Sequence, residues 1–143
     1  MNKDTVSLLS ACEAGAQMAI GAMDGVLKDV RNTGLRQTLQ MSLRQHSELG
    51  VQARQLLAQS GAQPAEPGVM AKGMSWLKTN WTLMLHPGDA GAAELVTDGC
   101  DMGVKTLART RNRCPGASGE ARAVAGRLME LERQLSSELS QYL

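Results

Sequence analysis

The chain has 143 residues, 43% of them hydrophobic but only 2% aromatic, with no Phe, and 15 Lys and Arg stand against 14 Asp and Glu. That length fits one domain, residues 1–143, able to bury a core without disulfide staples. Balanced charge leaves no basic field for nucleic acid; no apolar run reaches the roughly 20 residues of a bilayer span. Neither nucleic acid nor a membrane is an expected partner, and the N-terminal "MNKDTVSLLSACEAG" lacks the basic and apolar regions of a signal peptide, so the expected location is cytoplasmic. Cys12, Cys100 and Cys114 are an odd number without CxxC spacing, which argues for free, packed thiols over a disulfide framework or a zinc-thiolate site.

Ala, Leu, Gln, Glu, Arg and Met favour helices, and little β-branched or aromatic material is left for strands, so the class is all-α. Val6, Leu9, Ala16, Ile20, Met23, Leu27 and Val30 recur at threes and fours and predict a first helix over 4–30, with Asp4 or Thr5 as its cap. "RNTG" interrupts it, and Asn32 or Thr33 caps a second helix to about Ser60 along Leu35, Leu39, Leu49, Ala53 and Leu56. So short a break makes the two antiparallel neighbours.

Residues 61–88 follow, too long for an ordinary helix-helix link. Pro64, Pro67 and Gly68 make a loop of the first part, while Leu77, Trp81, Met84 and Leu85 have the spacing of a short amphipathic helix. Trp76 and Trp81 are expected to cover an end or side of the bundle or to form a dimer contact, and His86 in "LHPGD" to be a loop residue or cap. Asp89 caps a third helix through Ala92, Leu95, Val96, Cys100, Met102 and Leu107. "RCPGASGEA" ends it, and Ser118 opens a fourth along Ala121, Val124, Leu128, Leu131, Leu135 and Leu139. Two helical hairpins joined by a connector that can cross from one end to the other make an antiparallel four-helix bundle.

Three ionisable residues fall on the apolar seams. Glu13 lies between Leu9 and Ala16, His46 between Leu39 and Ala53, and Glu132 between Leu128 and Leu135, while Glu130 points away. In the third helix Glu94, Asp98, Asp101 and Lys105 form a polar stripe, with Asp98 nearest its border. Counting from the turn near Pro115 sets Asp98 level with Glu132; counting from Asn32 sets His46 about 6 Å along the axis from Glu13. These four could meet in one layer. Buried carboxylates are found paired, hydrogen-bonded, protonated or metal-bound. Either His46 forms an internal hydrogen-bonded pair with Glu13 or Glu132, or the group is a mononuclear site for Fe, Mn or Zn, whose ions suit imidazole and carboxylate. A dimetal centre wants two Glu-x-x-His pairs, but Leu43 stands three before His46 and Leu135 three after Glu132.

Gly99 and Gly103, with Ala92 and Thr106, leave a smooth strip for close packing against the first helix or for a small-ligand groove. No phosphate loop, nucleophile elbow or Cys-His pair is recognisable.

The hairpins, the connector and the inward polar residues resemble the ferritin-like superfamily. "MSWLKTNWTLML", "AAELVTDGCDMGVKTL" and "LMELERQLSSELSQYL" are similar to small uncharacterised bacterial ferritin-like proteins of the domain-of-unknown-function type. The resemblance implies a ferritin-like four-helix bundle that dimerises, and it offers Glu13, His46, Asp98 and Glu132 as candidate metal ligands. The expected function is that of a non-enzymatic interaction or accessory protein with no cofactor, acting as a homodimer or with a protein partner. The alternative is a metal-binding protein with a degenerate Glu/His site for Fe, Mn or Zn.

Overall fold

The computed structural model describes residues 1–61 and 88–143. The expected connector helix, Trp76, Trp81 and His86 lie outside these residues. The described chain is all helical, with α1 over Lys3–Leu27, α2 over Thr33–Gln59, α3 over Asp89–Arg113 and α4 over Gly119–Leu139, followed by a 3₁₀ turn at Ser140–Tyr142. These are the four helices expected from the apolar spacing. The first stops at Leu27, short of Val30, which is buried within the turn.

The caps follow local chemistry. Asn2, rather than Asp4 or Thr5, caps α1, its side chain accepting from the Thr5 N–H. Asn32 does the same for α2 through Leu35, and Ser118 for α4 through Ala121. For α3 the cap position is Gly88, held at a positive φ of 97°, and no side chain caps the helix. Asp89, expected as that cap, is instead the first helical residue and serves another turn.

That role orders the bundle. The Asp89 carboxylate accepts from the backbone N–H groups of Arg31 at 2.8 Å and Asn32 at 3.2 Å, so α3 begins beside the start of α2. At the other end the Asn2 amide donates to the Gly116 carbonyl, and the Gly116 N–H donates to Asp4 at 2.8 Å. The Ser118 N–H donates to the Thr5 hydroxyl at 2.9 Å. Both α2 and α3 therefore run away from the Asp89 end, and Gly61 and Gly88 lie at opposite ends of the bundle. Asp89→Ala strips two turn amides of their acceptor and is expected to lower stability by about 1 kcal/mol in thermal unfolding, with Asp89→Asn retaining most of it.

The core is divided in two. Near the Asn2 end, Leu8, Leu9, Leu57, Leu107, Leu128 and Met129 pack together. Near the Asp89 end, Met23, Val26, Leu35, Leu39, Val96 and Leu139 form a second cluster. The inward face of α1 contributes to both. By length and composition this helix is apolar enough to cross a membrane, but Leu8, Leu9, Ala16 and Met23 are spent on the core. All three cysteines are buried free thiols.

Candidate functional site

Between the two clusters lies a polar layer. On α2, His46 occupies the seam between Leu39 of one cluster and Ala53 of the other. On α4, Glu132 stands between Met129 and Leu135. His46 is 0% and Glu132 2% exposed. Both sit where a 3.6-residue period places core residues, so the bundle must hold polar atoms in its centre.

The His46 ring is fixed from its own helix. Its Nδ1 lies 2.8 Å from the Ser42 carbonyl, with the Ser42 hydroxyl 3.2 Å away. A carbonyl can only accept, so Nδ1 carries the proton and donates it. In the neutral ring this leaves Nε2 as a bare lone pair. That nitrogen faces Glu132 Oε1 at 3.9 Å, about 1 Å beyond a hydrogen bond, and among the described residues neither Nε2 nor Glu132 Oε2 has a hydrogen-bond partner.

Burial sets the charge states. It pushes the Glu132 carboxyl up to about 8, and it lowers the His46 imidazole below its ordinary value, against an opposing pull from the Ser42 backbone bond. At neutral pH the pair is a carboxylic acid facing a neutral imidazole, not an ion pair. The acid has a proton to give and Nε2 a lone pair to receive it.

Glu132 reaches this position because α3 offers a notch. A Cβ on Gly103 would lie 2.5 Å from Glu132 Oε2 and 2.7 Å from Oε1. The carboxyl thus fills the space a side chain would take, a close approach that glycine alone permits. The small-residue strip is consequently divided: Gly103 receives α4, while Gly99 faces α1 across a cavity of about 20 Å³ that touches Glu132. The thiols of Cys12 and Cys100 also feel the Glu132 charge once that carboxyl ionises. Burial first and that charge second push Cys12 up to about 12, and the same two causes, followed by the Asp101 charge, carry Cys100 well above the ordinary thiol range.

Glu13 is 9% exposed but belongs to a different contact. Its Oε1 accepts from Arg54 Nε at 2.8 Å at the edge of the bundle, and its Oε2 has no partner among the described residues. The hairpin register explains the separation. A Cβ on Gly50 would meet the Ala16 Cβ at 3.2 Å, so the α1–α2 pairing pivots about Thr33. His46 then stands opposite residue 20, about 10 Å along the axis from Glu13, and Arg54 stands opposite Glu13.

Asp98 is placed differently from the expected layer. It is exposed, in the outer stripe with Glu94 and Asp101, and burial followed by those two charges raises its pKa. The α3–α4 link occupies 114–118, so the hairpin pivots later than Pro115. Gly103, not Asp98, faces Glu132, and the Ser136 hydroxyl donates to Asp101 at 3.3 Å in keeping with that register. Asp98 therefore lies about 7 Å from the level of Glu132 and on the wrong side of the helix. Of the four candidates, His46 and Glu132 meet, Glu13 turns to Arg54, and Asp98 faces out.

Among the described residues no three His, Cys, Asp or Glu side chains group closely enough to hold a metal ion. Ser42 on His46, Gly103 under Glu132 and Arg54 on Glu13 complete the surroundings of these groups. Ser42 had a signal, since it lies one turn before His46 on the same seam. No family model matches the chain, and no curated protein or solved structure matches it.

Proposed function

We propose that this chain is a non-enzymatic four-helix bundle of antiparallel, ferritin-like arrangement that works in the cytoplasm as an interaction or accessory protein, paired with a second copy or another protein. The observation that carries this reading is the filled interior. The cavity touching Glu132 measures about 20 Å³, room for one water and not for an organic substrate, and the open groove of about 210 Å³ beside Ser42 is lined by neither His46 nor Glu132. The acid and imidazole beside it are neutral at pH 7 and enclosed by apolar side chains. Cys12, the thiol beside the pair, is held up to about 12 by burial and is unfit as a nucleophile. The ferritin-like arrangement is supported by Asp89 at the Arg31–Asn32 turn, which leaves the connector joining opposite ends of the bundle.

One set of observations favours a second reading, a degenerate metal site. The His46 Nδ1–H is held by a backbone carbonyl, the usual orientation of a ligating imidazole, and among the described residues three buried atoms lack partners: His46 Nε2, Glu132 Oε2 and Glu13 Oε2. Of the four candidates only His46 and Glu132 would hold Fe, Mn or Zn, since Glu13 is turned to Arg54 about 10 Å along the axis. A dimetal centre does not fit, because Leu43 and Leu135 stand where its paired ligands would be.

The test combines light scattering with elemental analysis on tag-free protein. The first reading expects the mass of two chains, or of a complex with another protein, and no stoichiometric Fe, Mn or Zn. Near one equivalent per chain, lost in His46→Leu, would replace the first reading with the second.

A further inference from the structure

The outward face of α2 carries a pattern that the bundle itself does not use. Leu39, His46 and Ala53 mark the face turned to the core. On the opposite side of the helix Gln37, Met41, Arg44, Glu48, Val51 and Gln55 follow one another at alternating steps of four and three, and all six are exposed. That spacing is what one long helix presents to another. Away from the chain ends, Met41 at 58% and Val51 at 47% are the large apolar side chains that the described residues leave exposed, and both stand on this stripe. Arg44 and Glu48 lie between them, one turn apart, yet neither has an ion-pair partner among the described residues. A basic residue one turn before an acidic one is the weaker order for a pair within a single helix.

The order of these residues is self-complementary. Outward from the level of residue 46, Arg44 and Glu48 stand about 3 Å to either side, Met41 and Val51 about 7.5 Å, and Gln37 and Gln55 about 13.5 Å. A two-fold axis across α2 at that level therefore sets Arg44 against Glu48 of a second copy, and Glu48 against its Arg44. The same axis sets Met41 on Val51 and Gln37 on Gln55. Opposite charges meet, and apolar meets apolar. Other alignments lose this match: a parallel pairing in register, or an antiparallel one centred on Arg44 or on Glu48, brings like charges together. Shape agrees, since an open groove of about 210 Å³ between α2 and α4 adjoins Met41 and gives the opposing Val51 room to enter. We infer that this stripe is the surface through which the chain pairs with a second copy of itself, α2 against α2, antiparallel and centred at the level of His46. Such an interface is isologous, each contact occurring twice about the axis.

This pairing rests on the reading of the chain as an interaction protein and gives that reading its partner and its face. It leaves the polar layer alone, because His46 points to the other side of α2. The test is sedimentation equilibrium of the full chain at low ionic strength, where exposed charges are least screened. Expected is the mass of two chains for the wild type. Arg44→Glu and Glu48→Arg each create two like-charge contacts across the axis, and each should raise the dissociation constant about tenfold or more. Mixing the two variants should restore the dimer, since every acidic side chain at the centre then faces a basic one. Val51→Lys should weaken the dimer as well. All three sites are exposed, and circular dichroism confirms that the variants fold. A monomeric wild type overturns the inference and leaves the interaction reading with a different protein as partner. A dimer unchanged by both charge reversals overturns the inference while the paired bundle stands on another face. Weakened variants that fail to recover on mixing also overturn it, because only the antiparallel alignment predicts that rescue.

Discussion

Between about pH 6.5 and 8.5 the wild-type protein is expected to lose about 2 kcal/mol of stability that Glu132→Gln does not lose. Glu132 rises from an ordinary 4.5 to about 8 in the folded protein because burial disfavours its anion. The folded chain therefore holds this proton more tightly than the unfolded chain does. Its contribution is fully present below about 4.5 and is lost as pH rises through 8, on the order of 5 kcal/mol over the whole window. His46 acts in the opposite sense. Its folded value lies below 6.5, so its contribution is present above 6.5 and is lost on acidification. Below 6.5 the two slopes oppose one another, and above it Glu132 acts alone. Thiols, ordinarily near 9.0, enter only at the top of this range. Urea unfolding at several pH values measures the difference, and parallel curves for wild type and Glu132→Gln would show that the carboxyl is not held protonated.

Gly103→Ala is expected to destabilise the protein by about 2 kcal/mol, although intrinsic helix propensity alone would make it stabilising by about 1 kcal/mol. The added methyl would stand 2.5 Å from Glu132 Oε2, 2.7 Å from Oε1 and 2.9 Å from Cδ. A free carboxyl would swing aside, but this one is enclosed by the core, and overpacking there costs roughly 1–3 kcal/mol. The sign should reverse in a Glu132→Ala background, where the notch is empty and alanine recovers its propensity. A double-mutant cycle by chemical denaturation reads the reversal directly. The same sign in both backgrounds would mean that the notch does not hold the carboxyl.

The helices and the inward direction of Glu13, His46 and Glu132 were legible in the sequence because apolar residues at threes and fours define a seam, and a polar residue on that seam is conspicuous. What could not be read was height. Both estimates of level counted from the visible breakers, Asn32 and Pro115, whereas the contacts of Gly50 with Ala16 and of Gly103 with Glu132 place the pivots later. A few residues of pivot error move a side chain by several ångströms, enough to part Glu13 from His46 and Asp98 from the level of Glu132. Asp98 was also misjudged in direction. Its neighbour Thr97 is buried and Asp98 is exposed, so the border of the apolar face falls between consecutive residues. The role of Gly103 had no local signal, because its notch has meaning only once α4 lies across it.

The contacts at the two ends of the bundle bear on how the hairpins find their alignment. Seams of Leu and Ala repeat, and a repeating seam looks much the same after one hairpin slides past the other by a turn of 5.4 Å. Such translational degeneracy would allow several shifted packings of similar energy. Asp89 on Arg31 and Asn32 at one end, and Asp4 with Thr5 on Gly116 and Ser118 at the other, occur once each. Midway between them, His46 of one hairpin faces Glu132 of the other at 3.9 Å. A slide of one turn would break every end contact together and part His46 from Glu132, so three unique marks along the axis remove the ambiguity that a monotonous apolar interior creates.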